Sequence, residues 1–192
     1  GIDNPPCEEA EYIAALCKVA ETDIRLRRHH ASLAVWCGGN ELMWCNYVPV
    51  DNRSMNIRAL ENLVHRLHPE SLFLPTSASG YTFNFNEALL GQGKNHDVHG
   101  PWDYLGPEEH YRHFNIDDSL IHTETGCPAP PRLDTLVKFS EGAALWPPNE
   151  TNRFWIHRGS WWIRQEQLEE LYGVFDEDIA AYVKAFRHMQ AE

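Results

Sequence analysis

The residues best placed to do chemistry lie at the end of the stretch Ala31-Ser-Leu-Ala-Val-Trp-Cys-Gly-Gly-Asn40-Glu41. Leu33 to Cys37 is nearly all apolar, with β-branched and aromatic members, and Gly38-Gly39 bounds its far side. That pattern predicts a strand buried on both faces, as in a parallel sheet covered by helices. The glycines end the strand, and Asn40 and Glu41 follow at once. A carboxylate at the C-terminal end of a parallel strand lies where α/β barrels build their active sites. The plain alternative is that Glu41 starts the next helix, favoured there by the helix dipole. Ser119-Leu-Ile-His-Thr-Glu124-Thr-Gly126 repeats the pattern: a short apolar run, a carboxylate, a glycine and a proline-rich turn. Two strands of one sheet, each delivering a Glu at the same end, are what cleavage of a glycosidic bond by two carboxyl groups needs. One carboxyl protonates the leaving oxygen while the other attacks the sugar carbon.

These motifs carry a resemblance. Trp36-Cys-Gly-Gly-Asn-Glu41, after the lead-in Arg27-Arg-His-His-Ala-Ser-Leu33, resembles the acid/base motif of family 2 glycoside hydrolases, especially their β-mannosidase-like branch. His122-Thr-Glu-Thr-Gly126, followed by Pro131-Arg-Leu-Asp-Thr-Leu136, is similar to the nucleophile segment of β-mannosidases and exo-β-glucosaminidases. The two occur in the family's order. The resemblance implies an α/β fold, the (β/α)8 TIM barrel, of which this chain covers about half, roughly strands 4 to 7. A complete barrel takes roughly 250 residues, so all 192 residues are expected to be part of one catalytic barrel domain. The family's β-sandwich domains and the remaining barrel strands are then the partners in the parent chain. By the same resemblance, Asn40 meets the sugar 2-hydroxyl. Asp97-Val-His99-Gly-Pro-Trp102 looks like the sixth-strand segment whose His99 and Trp102 face the bound sugar. The plain reading makes His99 a surface histidine and packs Trp102 under the loop.

Composition narrows the field. The chain is 43% hydrophobic with a net charge of −12, and no basic cluster exceeds Arg25, Arg27 and Arg28, so nucleic-acid binding by a basic face is not expected. No apolar run approaches membrane-spanning length, and no charged-then-apolar leader pattern opens the sequence. An excerpt would say nothing of compartment. Five cysteines without CxxC pairing suit free, mostly buried thiols better than disulfides or a zinc site. Histidines are plentiful, yet no HExxH-type pairing marks a metal centre. No metal or organic cofactor is expected. Seven Trp, seven Tyr and eight Phe supply rings enough to stack on sugar faces, although aromatics serve more often as core.

The elements that must position the carboxylates follow the chain. A helix is expected over 8–28, with Ile13, Leu16, Cys17, Ala20 and Ile24 on one stripe. Leu42 to Val48, including Trp44, reads as a short helical turn or loop lining the cleft. Asp51, Asn52 or Ser54 caps a helix carried by Ile57, Leu60, Val64 and Leu67, which His68-Pro69 ends. Ser71 to Ser77 is a candidate strand, and a Gly/Asn-rich loop runs to Asn95, long enough to be functional or disordered. Helices are expected from Glu108, through Leu133, Leu136 and Val137, over 165–172 and from Asp176 onward. Leu145-Trp-Pro-Pro, Phe154-Trp-Ile-His157 and Trp161-Trp162 form an aromatic segment that either walls the cleft or packs as core. Asn149-Glu-Thr151 matches a glycosylation sequon, a pattern too common to weigh.

The mechanism implied is retaining hydrolysis of a β-glycoside, with Glu124 as nucleophile and Glu41 as acid and then base. Substrate choice among β-mannosides, β-glucosaminides, β-galactosides and β-glucuronides stays open, since Asn40-Glu41 favours the first and Asp134-Thr-Leu136 leans toward the second. Two readings compete. The chain is a non-catalytic carbohydrate-binding or structural fragment with little turnover on its own, since half a barrel leaves open sheet edges. Alternatively it is a doubly wound α/β fold with an unrelated site.

Overall fold

The computed structural model describes residues 4–157, 159–160 and 163–192. Trp161 and Trp162 of the aromatic segment lie outside them. The elements are α1 (Ala10–Arg27), β1 (Val35–Cys37), α2 (Met55–Leu67), β2 (Leu72–Leu74), β3 (Asp97–His99), α3 (Pro107–Ile116), β4 (Ile121–Glu124), α4 (Leu133–Ser140), α5 (Arg153–Ile156), α6 (Gln165–Tyr172) and α7 (Ile179–Ala191). The strands form two parallel pairs, β1 with β2 and β3 with β4. No closed barrel is present among the described residues. No helix among them is long and apolar enough to cross a membrane. Two compact units divide the chain: Gly1–Gly100 with Arg112–Thr125, and Pro101–Tyr111 with Gly126–Glu192. The boundary falls inside α3.

In the first unit the expected stripe of α1 faces inward. Ile24 is buried and joins Leu63, Val64 and Leu67 of α2, with Cys17, Ala20, Trp36 and Phe73 packed against them. Ser54 caps α2 by accepting from the Ile57 amide, and the Ser54 hydroxyl itself donates to Glu8. The other Glu8 oxygen takes the Met55 amide at 2.9 Å. Two donors that a helix start leaves without intrahelical partners are thereby satisfied. Ser54→Ala is expected to cost about 1–2 kcal/mol, measured by urea unfolding, because Ser54 is buried and Glu8 loses its partner as well. An unchanged midpoint would mean that Glu8 alone holds the helix start.

The strands are shorter and more open than the apolar runs suggest. β1 is half-buried to exposed rather than buried on both faces, and β4 alternates exposed with half-buried positions. Each has a strand neighbour on one side only, so apolar side chains such as Ile121 stay in contact with solvent. Only β3, at Asp97, Val98 and His99, is buried throughout. Gly38 is required by close approach: a Cβ there would sit 2.6 Å from the Pro75 carbonyl oxygen and 2.9 Å from the Phe73 ring. The long passage after β2 is ordered by side chains. Asp118 accepts from the Gly91 amide at 2.8 Å and from Asn95 Nδ2 at 2.7 Å. These hydrogen bonds hold its carboxyl below the ordinary carboxylate range.

The second unit is built around Trp155, Tyr182 and Phe186, all fully buried, together with Leu136, Leu168, Val183 and Met189. Trp146 and Phe154 pack against this cluster. The described part of the aromatic segment is therefore core. Trp155 donates from Nε1 to the Leu145 carbonyl at 2.8 Å, which makes its burial affordable for a polar ring. Burial and a hydrogen bond to Glu192 push the Tyr104 hydroxyl up to about 12. All five cysteines are free, as expected, but Cys7, Cys37 and Cys45 are exposed and only Cys127 is buried. Loops and the open β1 end carry those three, where no covering layer exists.

Candidate functional site

Glu41 does not start a helix. Residues 41–48 are turns and bridges, and Glu41 stands in the left-handed region with φ 53°. That conformation costs an L-residue about 1–2 kcal/mol. It is held on both sides: the Glu41 amide donates to the Ser77 carbonyl, the Ser77 amide donates to Gly39 at 3.0 Å, and Asn4 Nδ2 donates to the Glu41 carbonyl at 2.9 Å. Strain of this kind persists only where the surroundings over-determine it. Its effect is to turn the carboxylate at the end of β1 back toward β3.

Glu124 reaches the same place by a register change. Asp97 pairs with Ile121 and Val98 with His122, but His99 pairs with Glu124. The ladder skips Thr123, so two residues of β4 oppose one of β3, as in a β-bulge. His99 sits between the two carboxylates. Its Nδ1 lies 3.1 Å from Glu41 Oε1 and 3.6 Å from Glu124 Oε2. Donor atoms of all three residues lie within 4.8 Å of one another. His99 is 1% exposed, which overturns the surface-histidine reading. The side chains of Glu41 and Glu124 are 35% and 43% exposed, so a ligand can reach both.

Behind His99 the contacts are polar and continuous. Its Nε2 is 2.9 Å from Ser77 Oγ, and Ser77 Oγ is 2.7 Å from Thr123 Oγ1. Thr123 donates to Asp97 Oδ1. Asp97 is 1% exposed, and its Oδ2 has no protein partner among the described residues. The Phe83 ring meets His99 edge-on, with centroids 5.1 Å apart. Met43 and Ala78 pack with Phe83 into a small apolar cluster.

Of the residues singled out by sequence, Glu41, His99 and Glu124 come together. Asn40 is beside them in the chain, exposed, and bridged to Ser77 in parallel fashion. Trp102 belongs to the other compact unit and is 39% exposed. Trp44 lies in a turn, not a helix, with Arg53 stacked 5.8 Å from its ring. Ser77, Thr123 and Asp97 were not legible as site residues. Thr123 does precede Glu124 directly and Asp97 shares a strand face with His99, but nothing in the sequence around Ser77 points to the site.

Chemically, two ionisable carboxyls flank an opening small enough for one bond, with an imidazole in hydrogen-bond reach of the first. The three donor groups are also close enough together to admit a divalent cation. Cys37 does not compete as a nucleophile: desolvation around its sulfur raises the thiol above its ordinary value, although the residue as a whole is exposed. Comparison with protein-family models, curated proteins and solved structures finds no match to this chain.

Proposed function

We propose that the chain is the carboxylate-bearing half of a (β/α)8 barrel and that its site hydrolyses β-glycosides with retention, β-mannosides first among them. One observation carries this reading: the Glu41 and Glu124 donor oxygens lie within 4.8 Å of each other at the ends of β1 and β4. Retaining enzymes hold their carboxyl groups about 5–5.5 Å apart, whereas inverting ones leave about 6.5–9.5 Å for a water. The short separation supports direct attack by one carboxylate. Both strand pairs are parallel and each is joined through a helix, α2 between β1 and β2 and α3 between β3 and β4, as successive barrel strands would be.

The assignment of roles follows from the resemblance of the two motifs. Glu124, ionised, attacks the anomeric carbon as the bond to the leaving oxygen breaks, and the leaving oxygen takes the Glu41 proton. Water then enters the vacated side, gives its proton to Glu41 and displaces Glu124 from the sugar. Glu41 is given the acid role and Glu124 the nucleophile role because Trp36-Cys-Gly-Gly-Asn-Glu41 and His122-Thr-Glu-Thr-Gly126 resemble the acid/base and nucleophile segments of family 2 glycoside hydrolases. By the same resemblance, Asn40 next to the acid is the residue proposed to meet the sugar 2-hydroxyl, and Trp102 one proposed to face the bound sugar. The remaining barrel strands and the β-sandwich domains of a parent chain complete the cleft. No metal or organic cofactor takes part.

The test is covalent trapping. A 2-deoxy-2-fluoro β-mannosyl fluoride, alongside its glucosyl and galactosyl counterparts, slows the second step more than the first. It is expected to leave a glycosyl ester on the peptide carrying Glu124 in the full-length polypeptide, read by mass spectrometry. Trapping on another carboxylate, or on none, overturns the reading. If instead turnover disappears with chelator and returns with a divalent ion, the cluster is a metal centre.

A further inference from the structure

We infer that Asp97, Thr123 and Ser77 form a hydrogen-bonded chain that fixes the ring proton of His99 on Nε2, leaving Nδ1 to accept a hydrogen bond from protonated Glu41. The inference rests on the acid role proposed for Glu41. Its starting point is the buried end of the chain. Thr123 gives its single hydroxyl proton to Asp97 Oδ1. Thr123 Oγ1 therefore has only lone pairs left for Ser77, and the 2.7 Å contact between them must use the Ser77 proton. Ser77 Oγ, its proton spent, faces His99 Nε2 at 2.9 Å and can only accept from it. The ring proton is thus on Nε2. In the neutral imidazole the other nitrogen is then an acceptor, and Nδ1 lies 3.1 Å from Glu41 Oε1. An unprotonated Nδ1 at that distance takes a hydrogen bond from Glu41 when Glu41 carries the proton it gives as general acid.

Every link is set by a group that the double displacement does not itself consume. Asp97 is buried in β3, Thr123 is the bulged residue of β4, and Ser77 extends from β2. Three strands thus meet in one line of protons. A carboxylate at one end strengthens each bond along such a line, because charge-assisted bonds are stronger and neighbouring bonds polarise one another. Asp97, Thr123 and Ser77 are accordingly positioning residues, acting through His99 on Glu41.

The experiment is a direct reading of the His99 tautomer by 15N NMR of the 192-residue chain at neutral pH, in the wild type, Thr123→Val and Ser77→Ala. The wild type is expected to show a protonated Nε2 and an unprotonated Nδ1, and each variant a mixture of tautomers with the two shifts drawn together. Two variants are used so that loss of fold in one, seen as collapsed amide dispersion, leaves the other. In the full-length polypeptide, Thr123→Val is expected to slow a phenyl glycoside about tenfold, a part of the 10²–10⁴-fold that a general acid supplies. A glycosyl fluoride, whose leaving group needs little protonation, should change less than about twofold. A proton on wild-type Nδ1, or a tautomer unmoved in both folded variants, overturns the inference. The expected tautomers together with no turnover of any β-glycoside would leave the chain of protons standing and sink the glycosidase reading instead.

Discussion

Glu124→Ala is expected to lower β-glycoside turnover on the order of 10⁴–10⁶-fold, the scale seen when a covalent nucleophile is removed, and added azide is expected to restore part of it. The stereochemistry of the product is the decisive observable. Azide enters the space the Glu124 carboxylate leaves, attacks the anomeric carbon from that face, and yields an α-glycosyl azide while the leaving oxygen takes the Glu41 proton. Glu41→Ala should behave differently. Glu124 still forms its ester with a good leaving group, deglycosylation stalls for want of a base, and azide then attacks the ester to give a β-glycosyl azide. Product configuration, read by proton NMR, therefore tells nucleophile from acid/base with one reagent. Wild-type rates in Glu124→Ala, or the β-azide from it, would sink the assignment.

The second large effect concerns stability. Trp155→Ala is expected to destabilise the second unit by about 3–5 kcal/mol, the range for deleting a buried large aromatic side chain. Trp155 has no exposed surface, meets Tyr182 edge-on with centroids 5.8 Å apart, and holds the Leu145 carbonyl through Nε1. Alanine would open a cavity and strand that carbonyl. Trp155→Phe keeps most of the ring volume and loses the donor, so it should cost less. Val174→Ala, at a position 73% exposed, should stay within about 0.5 kcal/mol. Urea unfolding followed by circular dichroism ranks the three. A ranking with Val174 as costly as Trp155 would show that the cluster around Tyr182 is not the core of its unit.

What could be read from the sequence was whatever a short-range pattern encodes. The 3.6-residue spacing of Ile13, Leu16, Cys17, Ala20 and Ile24 gave α1, and the three candidates Asp51, Asn52 and Ser54 marked the start of α2, where Ser54 is the cap. Apolar runs closed by glycine located the ends of β1 and β4, and with them both carboxylates. The failures share a cause. Burial of β1 and β4 depends on how many strands lie beside them, which an apolar run does not report. Whether Trp155 lines a cleft or fills a core depends on where α7 returns. The part played by Ser77 depends on the loop after β2 approaching His99 of β3 and Thr123 of β4, which no single segment contains. His99 was singled out and lies between Glu41 and Glu124, but its burial and its contact with Glu41 were not foreseeable from Asp97-Val-His99 alone.

The skipped residue in β4 has a further meaning. An ordinary strand shows alternate side chains to one face, so neighbours in sequence work on opposite sides of the sheet. At Thr123 and Glu124 that alternation is suspended: both stand opposite His99, one hydrogen-bonded to Ser77 and the other with its carboxylate 3.6 Å from the His99 ring. The four residues of β4 thus present two adjacent side chains to the surroundings of one imidazole, at the loss of a ladder position. A single-residue insertion, rather than any change of residue type, is what allows so small a strand to support and to act at once.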